Sequence, residues 1–399
     1  MSQTSLTPSK YLEFACQTSQ TFYDTGMKLA ILKETATGEQ RVATTPDVVK
    51  KLIGLGHSVT IQSKAGQTAG YTDDAYAEAG AEIAKTAPAT VKDQDVLLKV
   101  RGPSAAETAK LPSGLTVIGL MDPFQFDPAA ANTKSLATLS MEFTPRITRA
   151  QSMDALSSQS NLAGYRAVIE GATLYGRAMP MMMTAAGTVA PAKVFIMGAG
   201  VAGLQAIATA RRLGAVVTAT DVRPAAKEQV ASLGAKFIAV EDEEFKAAET
   251  AGGYAKQMSE AYQAKQAELV ATHIAKQDIV VTTALIPGRA APVLVSPEMV
   301  KTMRPGSVIV DMAVAQGGNC PLSEPDKVVD SDGVKVAGFT NLPAHLPADS
   351  SALYAKNLLA FLPLITAEDG ALTLDTEDEI VTAMLLTRDG KTVNERISQ

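Results

Sequence analysis

The chain has 399 residues, of which 46% are hydrophobic, and a formal net charge of −6 at pH 7. This length predicts two or three domains with sizeable apolar cores, and the acidic balance argues against a nucleic-acid partner. Two cysteines, Cys16 and Cys320, can form neither a disulfide framework nor a cysteine metal site, which suits a reducing compartment. The three histidines have no ligand partners at helical spacing, so we predict no metal centre and expect surface positions for all three.

The N-terminal residues 1–26 are polar and mixed in character, with Lys10 as their only basic residue. They lack the apolar core of a signal peptide, and we interpret them as a disordered or weakly helical extension. No stretch of the remaining chain is long and apolar enough to predict a transmembrane helix.

Apolar runs alternate with helical spacing over the first third of the chain. A helix is predicted at 47–55, entered through Thr45-Pro46-Asp47. The strand-like runs lie at 28–32, 58–62, 95–100, 115–120 and 136–139. Strands that alternate with helices indicate a parallel sheet with helices on both faces. We expect a helix at 350–361 and the strands after it to return and complete this first unit.

The chain is organised around residues 194–204. An apolar strand leads into Gly198-Ala199-Gly200-Val201-Ala202-Gly203, and helical spacing continues to Leu213. In this pattern the first glycine permits a tight turn, the second lets the backbone approach a pyrophosphate, and the third lets the helix pack on the strand. The helix N-terminus then offers N–H groups to phosphates. The first unit has no such motif. A glycine-rich turn that binds nothing remains the alternative.

A second strand, 216–220, ends at Asp221, about 20 residues beyond the glycines, where a carboxylate accepts hydrogen bonds from the adenosine ribose. A carboxylate there repels a 2′-phosphate, so we predict NAD(H) rather than NADP(H). Arg223, two residues on, weakens that preference slightly.

Polar side chains dominate residues 146–161, ahead of a helix predicted at 162–177. So many amide, hydroxyl and guanidinium groups favour a segment that faces a ligand, although a polar helix entrance that caps itself stays open. We interpret Met181-Met182-Met183 as adaptable core packing.

A loop is predicted at 241–256, after a strand at 236–240 and before a helix at 259–276. Loops of this length are often lids, and Gly252-Gly253 could hinge this one so that Tyr254 closes over a ligand. A solvated surface loop is the alternative. Beyond it, strands at 278–283 and 307–312 end in Ala284-Leu285-Ile286-Pro287-Gly288 and Gln316-Gly317-Gly318-Asn319-Cys320, at the sheet edge where such folds bind ligands.

None of these sequence motifs places a residue that could act as a general base. A dehydrogenase of alcohols or amines has to move a proton as well as a hydride. Hydride transfer between two nicotinamides needs only that the rings be positioned and water excluded.

Several motifs together resemble the NAD(H)-binding component, domain I, of proton-translocating NAD(P)+ transhydrogenases. The resemblance runs from Met27 to near the C-terminus. Its most specific stretches are 145–154 (PRITRAQSMD), 161–167 (NLAGYRA), the glycine turn, 251–256 (AGGYAK), 283–288 (TALIPG) and 317–320 (GGNC). The related alanine dehydrogenases share Lys33-Glu34 and Arg41-Val42-Ala43. However, their substrate-handling histidine and aspartate are replaced here, in the neighbourhoods of Met121 and Ala315.

The resemblance implies a role for each of five residues in hydride transfer. Arg146, Asp154 and Ser157 would hold the nicotinamide carboxamide and orient its ring. Gln151 would reach across to the NADP(H) of a partner component, and Tyr165 would support that site. The implied NAD(H)-binding residues are Gly198, Gly200, Val201, Gly203, Asp221, Val222, Arg223, Gly253, Tyr254, Met258 and Leu285, of which Gly253 and Tyr254 belong to a mobile closing loop with Met258 on its far side.

The resemblance also implies a homodimer, Si/Re-specific transfer, and partner subunits that bind NADP(H) and span the membrane. The chain itself would be peripheral to the cytoplasmic face of the inner or plasma membrane. We expect an α/β fold with two Rossmann-like, doubly wound parallel-sheet domains separated by a cleft. The predicted domains are residues 27–145 with 346–399, and 146–345 for NAD(H). An alanine-type amino-acid dehydrogenase, with Lys99 and Arg41 binding a carboxylate, and a non-catalytic NAD-sensing module remain alternatives.

Overall fold

A computed structural model describes residues 26–247 and 258–397 of the chain. These residues form two compact units. The first comprises 26–35, 41–154 and 354–397, and the second comprises 36–40 with the described part of 155–353. The units therefore divide after residues 154 and 353, whereas the predicted divisions lie after 145 and 345. The segment 146–154 thus belongs to the first unit.

The strands of the described residues are short and are numbered here in chain order. They are β1 Lys28–Ile31, β2 Ser58–Gln62, β3 Glu82–Ala84, β4 Val96–Arg101, β5 Thr116–Leu120, β6 Ala137–Ser140, β7 Met182–Thr184, β8 Gly187–Val189, β9 Lys193–Met197, β10 Val216–Thr220, β11 Lys236–Phe237, β12 Ile279–Thr282, β13 Val308–Asp311, β14 Lys327–Ser331, β15 Val334–Gly338, β16 Leu385–Arg388 and β17 Lys391–Thr392.

The α-helices alternate with these strands. They are α1 Pro46–Gly54, α2 Asp73–Glu78, α3 Ala87–Thr90, α4 Ala105–Thr108, α5 Pro128–Thr133, α6 Ala155–Tyr175, α7 Val201–Arg212, α8 Ala226–Ser232, α9 Glu243–Lys246, α10 Glu260–Ile274, α11 Pro297–Thr302, α12 Pro347–Phe361 and α13 Glu379–Met384. Short 3₁₀ turns lie at Gln67–Ala69, Met141–Phe143, Thr148–Met153, Val314–Gln316, Leu342–His345, Leu362–Ile365 and Glu395–Ile397. None of the described helices is long and apolar enough to cross a lipid bilayer.

The first unit is built on a sheet with the strand order β17-β16-β6-β5-β4-β1-β2-β3. Its strands from β6 to β3 run parallel, and β16 joins β6 antiparallel, so the C-terminal part of the chain completes this sheet. The buried hydroxyls of Thr138 and Thr387 lie 2.8 Å apart across this junction. The predicted return of the chain after the 350–361 helix is therefore confirmed.

The second unit is built on a sheet with the strand order β11-β10-β9-β12-β13-β15-β14. From β9 the chain moves outward through β10 to β11 and then crosses back to β12, so the strand order reverses between β9 and β12. Ligands of open parallel sheets bind at the carboxyl ends of the strands at such a reversal. The predicted α/β class with two parallel-sheet domains is confirmed.

Alternate residues of β9 face opposite sides of this sheet. Val194 and Ile196 belong to a core formed with α6 and α7, whereas Phe195 and Met197 belong to a core formed with α10 and α11. On the first side, α6 packs so closely on α7 that a Cβ on Gly164 would lie 2.0 Å from the carbonyl oxygen of Ala202. This packing fixes the start of α7 against α6.

Three local expectations are wrong. Met181, Met182 and Met183 are 59%, 44% and 78% exposed, because a small antiparallel hairpin of β7 and β8 carries them away from the core. The strand predicted at 236–240 stops at Phe237, and a short helix, Glu243–Lys246, interrupts the predicted loop because Asp242 caps its N-terminus.

The histidines do not all lie on the surface as expected. His57 is buried, and its burial lowers its pKa. His273 is half-buried, with its ring edge-on to Phe195 and a nitrogen 2.9 Å from the Thr218 hydroxyl. Burial also lowers the pKa of His273, so packing accounts for both of these side chains.

Candidate nucleotide-binding site

The glycine turn lies between β9 and α7, at the strand-order reversal of the second sheet. Gly198 has a φ of +106°, and a Cβ there would lie 2.4 Å from the Thr283 hydroxyl. A Cβ on Gly203 would lie 1.8 Å from the carbonyl oxygen of Gly198. By contrast, a Cβ on Gly200 would meet nothing within 4 Å. Packing therefore requires the first and third glycines, and the second faces open space.

Open space beside Gly200 fits the close approach of a pyrophosphate. Gly200 is the N-cap of α7, whose first turn has no acidic residue and whose last turn carries Arg211 and Arg212. The leading N–H groups of a helix lack intrahelical partners, and the helix dipole favours an anion there. The residues present thus fit the phosphates of a dinucleotide, with the N-terminus of α7 facing them.

Asp221 follows β10 and is tied to the glycine turn. Its carboxylate accepts a hydrogen bond from the Ala199 amide at 2.7 Å and three more from Arg223. Burial alone would raise the pKa of Asp221, but the hydrogen bonds from Arg223 and Ala199 hold it below its ordinary value. A carboxylate therefore lies beside the turn, at the position that recognises a ribose in this motif.

Exposed apolar side chains flank the turn on the same edge of the sheet. Val201 begins α7, Val222 follows β10, and Leu285 and Ile286 follow β12; their exposed fractions are 41%, 63%, 50% and 44%. Large exposed apolar side chains beside a polar turn are typical of surfaces that bind the apolar parts of a ligand. The predicted Val201, Val222 and Leu285 thus lie at one edge of the sheet, Val201 at the start of α7 and the other two on loops.

Asn319, to which the sequence assigns no individual role, holds the loop after β12, and Asp311 holds the segment after β13. Buried Asn319 accepts a hydrogen bond from the Ala284 amide at 3.0 Å and donates to the carbonyls of Ala284 and Pro292 at 2.9 and 2.8 Å. Buried Asp311 accepts from the Cys320 amide and the Thr282 hydroxyl. We call the three hydrogen bonds of Asn319 the clamp of this loop. Its only signal in the sequence is an amide residue that directly follows Gly317-Gly318 near a strand end.

Replacing Asn319 by alanine is expected to lower the free energy of unfolding by about 2–4 kcal/mol, because three buried hydrogen bonds are lost. NADH affinity is expected to fall as well, since Leu285 loses its support. Chemical denaturation and fluorescence titration measure the two effects. Asn319→Asp keeps the acceptor for the Ala284 amide but sets a buried carboxylate oxygen against the carbonyls of Ala284 and Pro292, so it should lose at least as much stability as Asn319→Ala. Unchanged stability of Asn319→Ala would contradict the clamp.

The predicted Arg146, Gln151 and Asp154 lie along one segment of the first unit, around the 3₁₀ turn Thr148–Met153. Arg146 and Gln151 are exposed and Asp154 is half-buried. Two contacts anchor the segment: Arg149 donates to Asp378 at 2.6 Å, and the Asn357 side chain donates to the Ser152 carbonyl at 2.8 Å. The backbone that carries Gln151 is therefore fixed while its side chain faces solvent.

Ser157 and Tyr165 belong to the second unit and lie on α6. Ser157 is half-buried and Tyr165 is 38% exposed. Tyr165 directly follows Gly164, and Gly164 lies against Ala202 in the first turn of α7. Met258 precedes the N-cap of α10, and its carbonyl accepts from the Gln263 side chain. Gly253 and Tyr254 lie outside the described residues.

Lys99, considered above for an amino-acid dehydrogenase, is paired with carboxylates of the first unit. Buried Lys99 lies 3.2 Å from a Glu34 carboxylate oxygen and 3.6 Å from one of Glu107. The Met121 amide donates to the Glu142 carboxylate, so a side chain of the first unit holds this neighbourhood. The carboxylates of Glu34 and Glu107 balance the charge of the Lys99 ammonium.

A parallel sheet with a glycine turn, a helix N-terminus and an acidic residue after the second strand defines a dinucleotide-binding α/β protein. Two family models match the chain: "Alanine dehydrogenase/PNT, N-terminal domain" over residues 30–163 and "Alanine dehydrogenase/PNT, C-terminal domain" over residues 167–395. The chain therefore belongs to the alanine dehydrogenase/PNT family.

Proteins similar to this chain include both transhydrogenase subunits and alanine dehydrogenases. The chain is 55% identical to the first of the chains that make up NAD(P) transhydrogenase subunit alpha in Rhodospirillum rubrum, over 92% of its length and 98% of the relative's. It is 31% identical to an alanine dehydrogenase of Mycobacterium tuberculosis over 93% and 96% of the two chains. The crystal structure of a transhydrogenase from Sinorhizobium meliloti matches with a TM-score of 0.83 at 54% identity, over 92% of this chain and 100% of that one. The resemblance to transhydrogenase is thereby confirmed.

Proposed function

We propose that this chain is the NAD(H)-binding subunit of a proton-translocating transhydrogenase, in which hydride passes directly between NAD(H) on this chain and NADP(H) on a partner component. The glycine turn with Asp221 beside it carries this proposal. The 55% identity to a transhydrogenase alpha subunit supports it. Si/Re stereospecificity and coupling to proton movement across a membrane belong to the same proposal.

The nucleotide preference follows from charge. Asp221 offers a carboxylate to the ribose hydroxyls of NAD(H) and repels the 2′-phosphate of NADP(H). Gly198, Gly200 and Gly203 shape the turn for the pyrophosphate, and the N-terminus of α7 supplies N–H donors. The preference for NAD(H) is therefore a property of this chain's own residues.

Replacing Asp221 by alanine is expected to weaken NADH binding by about 1–3 kcal/mol, because a charged acceptor of the ribose hydroxyls is lost. Asp221→Asn replaces one acceptor oxygen by an NH2 group that would face N–H donors of Ala199 or Arg223, so it should lose at least as much. Titration of the purified variants with NADH, followed by fluorescence, measures both. Unchanged affinity of Asp221→Ala would remove this residue from the site.

NAD(H), when bound, donates or accepts the hydride. This chain's contribution is to orient the nicotinamide through Arg146, Asp154 and Ser157, with Tyr165 as support. Gln151 faces solvent on an anchored segment and would reach the partner's NADP(H). We further propose that the segment with Gly253 and Tyr254, followed by Met258, closes over the nucleotide. These residues position groups and exclude water, which is what hydride transfer between two nicotinamides requires.

The proposed assembly is a homodimer of this chain with subunits that bind NADP(H) and span the membrane, on its cytoplasmic face. The β7–β8 hairpin supports a protein contact, because it presents three consecutive exposed methionines, Met181–Met183. Adaptable apolar surfaces of this kind are typical of protein interfaces.

The decisive experiment is an assay of the purified chain with NADH and an oxidised nicotinamide nucleotide analogue, with and without a transhydrogenase NADP(H)-binding component. Hydride transfer is expected only when that component is present. Oxidation of alanine by NAD+ with this chain alone would establish the dehydrogenase instead. NADH binding without either activity would favour the sensing module.

A further inference from the structure

The carboxylate of Asp221 is fully engaged by hydrogen-bond donors. One oxygen accepts from the Arg223 amide at 2.8 Å and Nε at 2.9 Å, and the other accepts from the Ala199 amide at 2.7 Å and Arg223 Nη2 at 3.0 Å. A carboxylate offers about four lone-pair positions. Four donors therefore leave no position on Asp221 for a ribose hydroxyl.

Two of these four donors are backbone amides that form part of the turn itself. The Ala199 amide belongs to the glycine motif, and the Arg223 amide closes a local turn on Asp221. The other two belong to the Arg223 guanidinium, whose side chain is 35% exposed where that of Asp221 is 6% exposed. The guanidinium is thus the solvent-exposed part of the donor set, whereas the two amides belong to the backbone of the turn.

A ribose diol presents two O–H donors, and the guanidinium occupies two positions on the carboxylate. We propose that Arg223, which the resemblance places among the NAD(H)-binding residues, instead determines specificity by competing with the adenosine ribose for Asp221, so that nucleotide binding requires the Arg223 guanidinium to leave the carboxylate. This inference rests on the proposed NAD(H) site at Asp221. It adds that competition from Arg223 limits the affinity of that site for NADH.

The competition has a second consequence for selectivity. While Arg223 forms a bidentate ion pair with Asp221, the negative charge that repels a 2′-phosphate is balanced by an adjacent positive charge. Arg223 also provides a cation that a 2′-phosphate can pair with. The pair therefore lowers NADH affinity and narrows the difference between NADH and NADPH.

Arg223→Ala is expected to bind NADH about three- to tenfold more tightly than the unaltered chain, because a charge-assisted hydrogen-bonded pair no longer has to be broken. Its NADPH affinity is expected to fall, so the ratio of the two affinities rises. Arg223→Lys keeps the charge and loses the planar fork, and should show a smaller gain for NADH. Titrations of the full chain with NADH and NADPH measure these constants.

Two controls separate this mechanism from a general change of charge. Arg212→Ala removes a cation from the opposite end of α7 and should leave both affinities unchanged. In an Asp221→Ala background, Arg223→Ala should bring no gain, because the gain comes from freeing that carboxylate. Weaker or unchanged NADH binding by Arg223→Ala, or an equal gain in the Asp221→Ala background, would overturn the inference. Failure of the unaltered chain to bind NADH would refute the proposed function itself.

Discussion

Gly203→Ala is expected to abolish NADH binding and to destabilise the second unit. The added Cβ would lie 1.8 Å from the carbonyl oxygen of Gly198, so backbone rather than a flexible side chain has to move. Overpacking a well-ordered core costs about 1–3 kcal/mol, and a contact between backbone atoms belongs at the upper end or beyond. The shift would also displace the start of α7 from the glycine turn.

Gly200→Ala is the matched control for this variant. A Cβ there meets nothing within 4 Å, and the residue is an N-cap with a φ of −74°, which alanine adopts. Its stability should stay within about 1 kcal/mol of the unaltered chain. Its NADH affinity should nevertheless fall at least about tenfold, because the Cβ occupies the space of the pyrophosphate.

Thermal unfolding and NADH titration of both variants test this division of roles. The expected pattern is that Gly203→Ala loses stability and binding together, whereas Gly200→Ala loses binding alone. Retained NADH affinity in Gly200→Ala would mean that the open space beside this glycine is not where the pyrophosphate lies. A fully stable Gly203→Ala would mean that the helix does not depend on the close contact.

Gln151→Ala is expected to slow hydride transfer to the partner component by about 10²-fold, the size of effect that misplaced reacting groups produce. NADH affinity should change little, because Gln151 is exposed and its proposed contact is with the partner's nucleotide. The loss should therefore be seen in single-turnover rates with the NADP(H)-binding component and not in a titration of the isolated chain.

Ser152→Ala provides the control for Gln151→Ala. Ser152 is the exposed neighbour on the same 3₁₀ turn, and its carbonyl keeps the hydrogen bond from Asn357 after the substitution. Its transfer rate should remain close to that of the unaltered chain. If Gln151→Ala lowered NADH affinity and transfer rate by equal factors, the residue would be part of the NADH site rather than a contact to the partner.

Much of the fold could be predicted from the sequence because its signals are local. The strands at 58–62 and 216–220 are confirmed to the residue, since a short run rich in β-branched residues that follows a glycine turn specifies a strand. The strand, glycine turn and helix at 193–212 follow from steric rules that act within a few residues.

Local signals failed where a distant part of the chain decides the outcome. Met181–Met183 are apolar, and only the pairing of β7 with β8 carries them into solvent. The anchors of the segment 146–154 are likewise distant: Asp378 and Asn357 contact residues 149 and 152 from more than 200 positions away in the chain.

The sequence by itself determined that this is a dinucleotide-binding α/β protein. The spacing of Gly198, Gly200, Gly203 and Asp221 is a local pattern that follows from how a backbone approaches a dinucleotide. The tertiary structure alone decided how the site is held. Thr283, directly after the neighbouring strand β12, leaves no room for a side chain at Gly198, and Asn319 holds the loop after β12 by hydrogen bonds. The physical reason is that hydrogen bonds and steric limits between strands depend on which strands are neighbours, and strand order has no short-range signature in a sequence.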